Sequence, residues 1–300
     1  MEIIAKRNIY KFYIPLILWN LIFLSMGVFM IHLLLTTIIP KLILVTLFGL
    51  GIIISINIAY IKYAPAIVLN KKGISIKNKF YNWNEISSYQ LTAKSGTVFN
   101  SGECTILIFK DETFIEIYDD FYTNAKEMKI LIEEIHSNNQ KKIPAQLAEI
   151  DIDLEIFTIY KGNPILCFTG FSMWSLLLFI PLLVMLKKNS IYVKPLLIFN
   201  PLTIFWFIFH ARMMNYFEIS ENFIIIKNHY FFWKKKIIRI ADIRQVHLIR
   251  PYKRPNTLRI LFNDFSTKTY IAGSLTTSTW KELKTNLDHK NIFVRNDFFL

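Results

Sequence analysis

The residues best suited to chemistry in this sequence are a run of aromatic rings leading directly into cations, Tyr230-Phe231-Phe232-Trp233 followed by Lys234-Lys235-Lys236. Aromatic side chains favour the headgroup boundary of a bilayer, and each lysine near an anionic surface contributes about 1 kcal/mol. A second cluster, Arg250, Lys253 and Arg254, surrounds Pro251 and Pro255 in an expected loop. Trp233, Lys234, Lys235, Lys236, Arg250, Lys253 and Arg254 are therefore the candidate residues for binding anionic lipid headgroups. Two readings stay open. Either these loops dock on headgroups, or the rings pack into a sheet and the lysines are simply solvated. Loops of this composition also suit nucleic acid, but tethering to a membrane by the apolar runs described below brings lipid phosphate much closer. No nucleic-acid partner is expected.

Residues arranged for catalysis are hard to find. The sequence has no HExxH, GxSxG, GxxxxGK[ST] or CxxC motif, so a positioned nucleophile, base or metal is not signalled. Cys104 and Cys167 are far apart, and the six histidines are scattered. Asp111, Glu112, Glu116, Asp119 and Asp120 form an acidic group whose strand-and-turn spacing fits a solvated face better than paired acid/base carboxylates. Gly49-Leu50-Gly51 lies inside an apolar run, which suits close helix packing rather than a phosphate loop. No catalytic residue, metal or cofactor is assigned.

The elements that must position the clusters follow from composition. Of 300 residues, 53% are hydrophobic and 19% charged, with mean hydropathy +0.35 and net charge +13. A soluble domain carries roughly a quarter charged residues. Four apolar runs, Phe12–Leu35, Leu42–Ile61, Pro164–Leu186 and Leu196–Ala211, are candidates to cross a bilayer, which takes about 20 residues. The first is longer than a signal-peptide core and is read as an anchor. Lysines and arginines at the span ends, nine on the outer flanks against four in the loops, place both termini and both polar segments in the cytoplasm.

A period near 150 residues organises the chain. Ile9-Tyr10-Lys11 and Ile159-Tyr160-Lys161 precede corresponding runs, and Gly73–Asn78 answers Phe223–Asn228. Asn70 and Gly73 mark a hairpin turn. Each half ends on an amphipathic helix, with Asn124/Glu127 and Thr279/Glu282 at capping-box spacing. The expected organisation is a transmembrane hairpin at 1–62, a β module at 63–136, a linker at 137–160, a second hairpin at 161–212 and a basic β module at 213–300. The charge divides unevenly. Residues 62–140 carry 9 basic and 10 acidic side chains, whereas residues 211–300 carry 16 and 7.

On the strand before Lys77-Asn78, the opening Trp83-Asn84-Glu85-Ile86, its counterpart Ile240-Ala241-Asp242-Ile243 and the two end helices, the chain resembles bacterial pleckstrin-homology-like membrane proteins. That resemblance implies a membrane α protein of four transmembrane helices in two hairpins. Two small, mainly-β PH-like modules, each with a C-terminal helix, would accompany them. It transfers no catalytic residue. The function expected is a non-catalytic, multi-pass scaffold of the bacterial inner membrane. Its basic second module would contact anionic lipid, and an unidentified protein partner would be held elsewhere. A lipid-acting enzyme, a transporter accessory subunit and an immunity protein against a membrane-active toxin are the alternatives.

Overall fold

In the computed structural model, which describes residues 2–37, 40–77, 79–94, 103–136, 151–186, 193–251 and 254–297, the chain forms two units, Met1–Ile143 and Pro144–Leu300. In the first, strand β1 (Glu2–Ile4) leads through a π-helical turn, Ile9–Tyr13, into helices α1 (Ile14–Thr37) and α2 (Pro40–Tyr63). The Asn8 side chain accepts hydrogen bonds from the backbone of Tyr10 and Lys11 and so starts the helical segment. The two helices are joined part-way along by Asn20 and Asn57, whose amides bond each other at 2.8 and 3.3 Å. The chain then forms β2 (Ile67–Asn70), β3 (Gly73–Ile76), β4 (Lys79–Asn82), β5 (Ile86–Lys94), β6 (Glu103–Phe109), β7 (Phe114–Tyr118) and α3 (Ala125–His136). The strands make two antiparallel sheets, β1-β2-β3-β4 and β5-β6-β7. Asn70 Oδ1 accepts from the backbone of Lys72 and Gly73, closing the β2–β3 turn. Gly73 is required there: a Cβ would sit 2.1 Å from the Tyr81 carbonyl oxygen.

The second unit holds β8 (Thr158–Tyr160), α4 (Phe168–Leu186), α5 (Val193–Ala211), β9 (Asn215–Ile219), β10 (Phe223–Asn228) and β11 (Lys235–Arg239). There follow β12 (Ile243–Ile249), β13 (Thr257–Phe262), β14 (Thr267–Ile271), α6 (Thr277–His289) and β15 (Val294–Asn296). One sheet runs β11-β10-β9-β8; the other runs β14-β13-β12-β15, with β15 parallel to β12. Alternate residues of both sheets, among them Phe217, Ile224, Ile226, Val246, Leu248 and Ile260, meet the inner face of α6 in one apolar core. Trp280, Leu283 and Leu287 are fully buried in it.

The expected fold of four transmembrane helices plus two PH-like modules is corrected by this arrangement. Among the described residues one helical segment, Ile9–Phe29, is long and apolar enough to cross a membrane, and almost none of it is buried within the chain. Leu47–Tyr63 and Phe168–Leu178 are shorter apolar helical stretches. The elements are mainly strands: among the described residues fifteen strands in four separate sheets stand beside six α-helices. Isoleucine and phenylalanine also fill the sheet core of the second unit, where Phe217, Ile224, Ile226 and Ile260 are buried. Two further features depart from the expectation. Strands β1 and β8, which precede the helices, complete the sheets formed after them. The second unit ends on a strand, β15, not on its helix.

The caps are also corrected. The Asn124 side chain does not cap α3; it accepts from the Lys6 backbone and donates to the Ile4 carbonyl, fastening the N-terminal segment. The cap of α6 lies three residues earlier than expected, at Thr276, whose side chain accepts from the Thr279 backbone. Residues 137–150 of the expected linker lie outside the described residues.

Candidate functional site

The basic-aromatic run forms the turn between β10 and β11. Asn228 shapes it: its Oδ1 accepts from the backbone of both Tyr230 and Phe231 at 3.0 Å, while its amide donates to the Ala211 carbonyl at the end of α5. An asparagine bonding the backbone two and three residues on is a local turn-former. Tyr230 fixes the turn against the helices. Its hydroxyl donates to the Pro164 carbonyl and accepts from Trp174 Nε1 of α4, both at 3.1 Å, and its ring meets Phe207 of α5 edge-on at 5.6 Å. Beyond this anchor the turn projects outward. Phe232 is 84% exposed and Trp233 65%. The two rings contact each other edge to face at 5.0 Å, and Lys234 Nζ lies 4.4 Å from the centre of the Phe231 ring. Tyr230 is thus held against the helices rather than packed into the sheet, and Phe232 and Trp233 stand in the open. Ile165, Leu166, Phe168 and Phe171, around the start of α4, are exposed as well.

Lys235 and Lys236 belong to strand β11, an edge of its sheet, and both are exposed. Arg250 and Arg254, also exposed, flank the loop between β12 and β13 on the other sheet; Lys253 lies outside the described residues. That loop closes near the helix pair too. The Asn256 carbonyl accepts from Ala272, and Ala272 pairs with Met214, just past α5. The two clusters thus rise from different sheets at the helix-proximal end of the unit.

A third cationic feature was missed by sequence reasoning. A cleft of about 480 Å³ opens between the two sheets and is lined by Lys236, Arg239 and Lys268, with Asp242 as its acidic member. Lys268, on β14, lines the cleft with Lys236, and the neighbouring Lys236 holds its ammonium below the ordinary lysine range. A single lysine 32 residues away carries no local signal that could have joined it to the cluster.

Buried ionisable groups lie elsewhere. His229 contacts the ring of Tyr216 at 4.9 Å and shares a 3.1 Å hydrogen bond with Ser274 Oγ. Burial, with Lys161 nearby, pushes its pKa down to about 4, so it is neutral at neutral pH. In the first unit Asp119 is not on a solvated face, as the acidic group was expected to be. It is buried against Lys129 at 2.5 Å, and desolvation raises its pKa to about 6 despite that partner. Among the described residues no group of three or more histidine, cysteine, aspartate or glutamate side chains is placed to hold a metal.

No curated protein matches the chain. Residues 160–296, which span nearly all the described part of the second unit and include the turn, both arginines and the cleft, are similar to the family of EbsA-like proteins.

Proposed function

We propose that this is a non-catalytic, membrane-anchored interaction protein whose second unit docks on anionic lipid headgroups through the turn at residues 229–236 and the loop at 250–254. One observation carries the reading. The turn exposes two large aromatic rings and three consecutive lysines, yet is fastened by Tyr230 to the N-terminal part of the apolar helix α4 and to the C-terminal part of α5. Rings held at a helix root with cations beside them match the requirements of a bilayer interface. The apolar segment Ile9–Phe29 supplies an anchor. The excess of lysine and arginine outside the apolar runs favours the cytoplasmic face of a bacterial inner membrane for both units. The β module of the first unit, close to neutral with 9 basic and 10 acidic side chains over residues 62–140, is the better surface for a protein partner, for which edge strands β4 and β7 offer sites of strand addition.

Hydrogen exchange of the full chain in nanodiscs tests the docking. Amides of residues 229–237 should exchange more slowly in discs containing phosphatidylglycerol than in phosphatidylcholine alone, and the difference should shrink at high salt. Replacing Lys234, Lys235 and Lys236 together by alanine removes about 3 kcal/mol of attraction, on the order of a hundredfold. Equal exchange in both lipids would overturn the proposal.

A further inference from the structure

We propose that the mouth between β11 and β14 is a phosphate site that takes a phosphomonoester dianion between Lys236 and Lys268, with Arg239 at its rim. Both strands are edges of their sheets. Strand alternation puts Lys236 on the face of the buried Ile238, and Lys268 on the face of Tyr270, which packs against the core. Two lysines from different sheets thus line one opening, and Lys236 beside it holds the Lys268 ammonium below the ordinary lysine range. Like charges so placed repel. The acids nearby do not balance them: Asp242 lines the cleft beside three cations, and Asp264, near Lys268, accepts from Ser266. A phosphomonoester carries close to two negative charges and presents three acceptor oxygens, enough to engage both ammonium groups at once. A phosphodiester, with one charge, would neutralise only one of them.

The cleft continues the docking turn. Lys236 lies three residues beyond Trp233, ~10 Å along an extended chain, so a lipid phosphate is within reach if the turn sits among headgroups. For that source the inference rests on the docking reading; for a free phosphate it does not. The competing role for inward-turned lysines on edge strands is to block edge-to-edge association.

The full chain in nanodiscs separates these cases. In discs of phosphatidylcholine, inorganic phosphate at matched ionic strength should slow exchange in residues 235–239 and 267–271. Lys268→Ala should raise the concentration needed by about tenfold, the loss of one charge-assisted hydrogen bond, and Lys268→Arg should restore part of it. Protection by inorganic phosphate identifies a free-phosphate site. Protection only by phosphatidic acid, exceeding that by phosphatidylglycerol at equal surface charge and lost in Lys268→Ala, identifies a lipid phosphomonoester. No protection by either probe, or protection that Lys268→Ala leaves unchanged, overturns the site and leaves the lysines as guards of the sheet edges. Phe232→Ser/Trp233→Ser reports on docking separately, because it alters the turn and leaves the cleft intact.

Discussion

The two units run through the same order of elements: a strand, two helices, three strands, a 3-10 turn, three more strands and a helix. They differ in how one turn is made. In the first unit β3 ends at Ile76 and β4 begins at Lys79, with Lys77 in the left-handed conformation at φ 49°. The second joins β10 to β11 with six, His229 to Lys234. A hairpin needs only two residues to reverse direction, so the extra aromatic residues are not demanded by the sheet. One of them, Tyr230, is used to fasten the turn to α4, and two, Phe232 and Trp233, are left in the open. Buried charge differs as well. The first unit buries the Asp119–Lys129 pair, while the second buries Glu218 against Lys227, holds a half-buried neutral histidine, His229, and surrounds an apolar core with an excess of surface cations. An exposed turn of aromatic rings beside lysines stands out in the second unit, and that difference is open to direct tests.

The largest effect is expected from the core of the second unit. Trp280→Ala empties a fully buried site and should cost about 3–5 kcal/mol. Hydrogen exchange should show protection lost across residues 215–297 while β2 to β7 keep theirs; loss spread equally over both units would break the division. Lys129→Ala comes next. It leaves the buried Asp119 carboxylate without its partner and should destabilise the first unit by about 2 kcal/mol at neutral pH. The loss should be smaller near pH 4, where that carboxylate is protonated, and thermal melts at the two pH values compare them.

The units should also respond to acid in opposite senses through these two groups. Asp119, with its pKa raised to about 6, binds its proton more readily folded than unfolded. Its contribution is full below about pH 4 and is lost as pH rises through 6. His229, lowered to about 4, contributes above pH 6.5 and loses that contribution as pH falls toward 4. His136, whose pKa burial also lowers, opposes Asp119 within the first unit. Exchange measured for each unit between pH 4 and 7 should therefore flatten in the first on Asp119→Asn and in the second on His229→Gln. The smallest change in stability is expected for Phe232→Ser/Trp233→Ser, within about 0.5 kcal/mol, while its lipid-dependent protection should fall the most. A large loss of stability there would mean that the rings serve the fold.

How far the sequence could be read depended on the range of the interaction. The β2–β3 hairpin was legible because Asn70 and Gly73 make their turn locally. The amphipathic α3 and α6 were legible from periodicity alone. The cap at Asn124 was misread because a distant strand, β1, claims its side chain. Asp119 looked solvated because its partner sits ten residues on, in a helix whose packing was not visible. At the candidate site, the aromatic-lysine turn could be read off a contiguous run. Lys268 could not, since two sheets bring it to Lys236.

By itself the sequence determined the apolar N-terminal segment, the short strands and their turns, the contrast in charge between the halves and the aromatic-lysine run that forms the turn between β10 and β11. Those depend on composition and on contacts a few residues apart. Tertiary structure decided that the strands before the helices complete the sheets formed after them, and that Tyr230 is held while Phe232 and Trp233 are not. It also decided that two inward lysines share one cleft. Each of these is a choice between partners far apart in the chain, made by packing and desolvation once the sheets close.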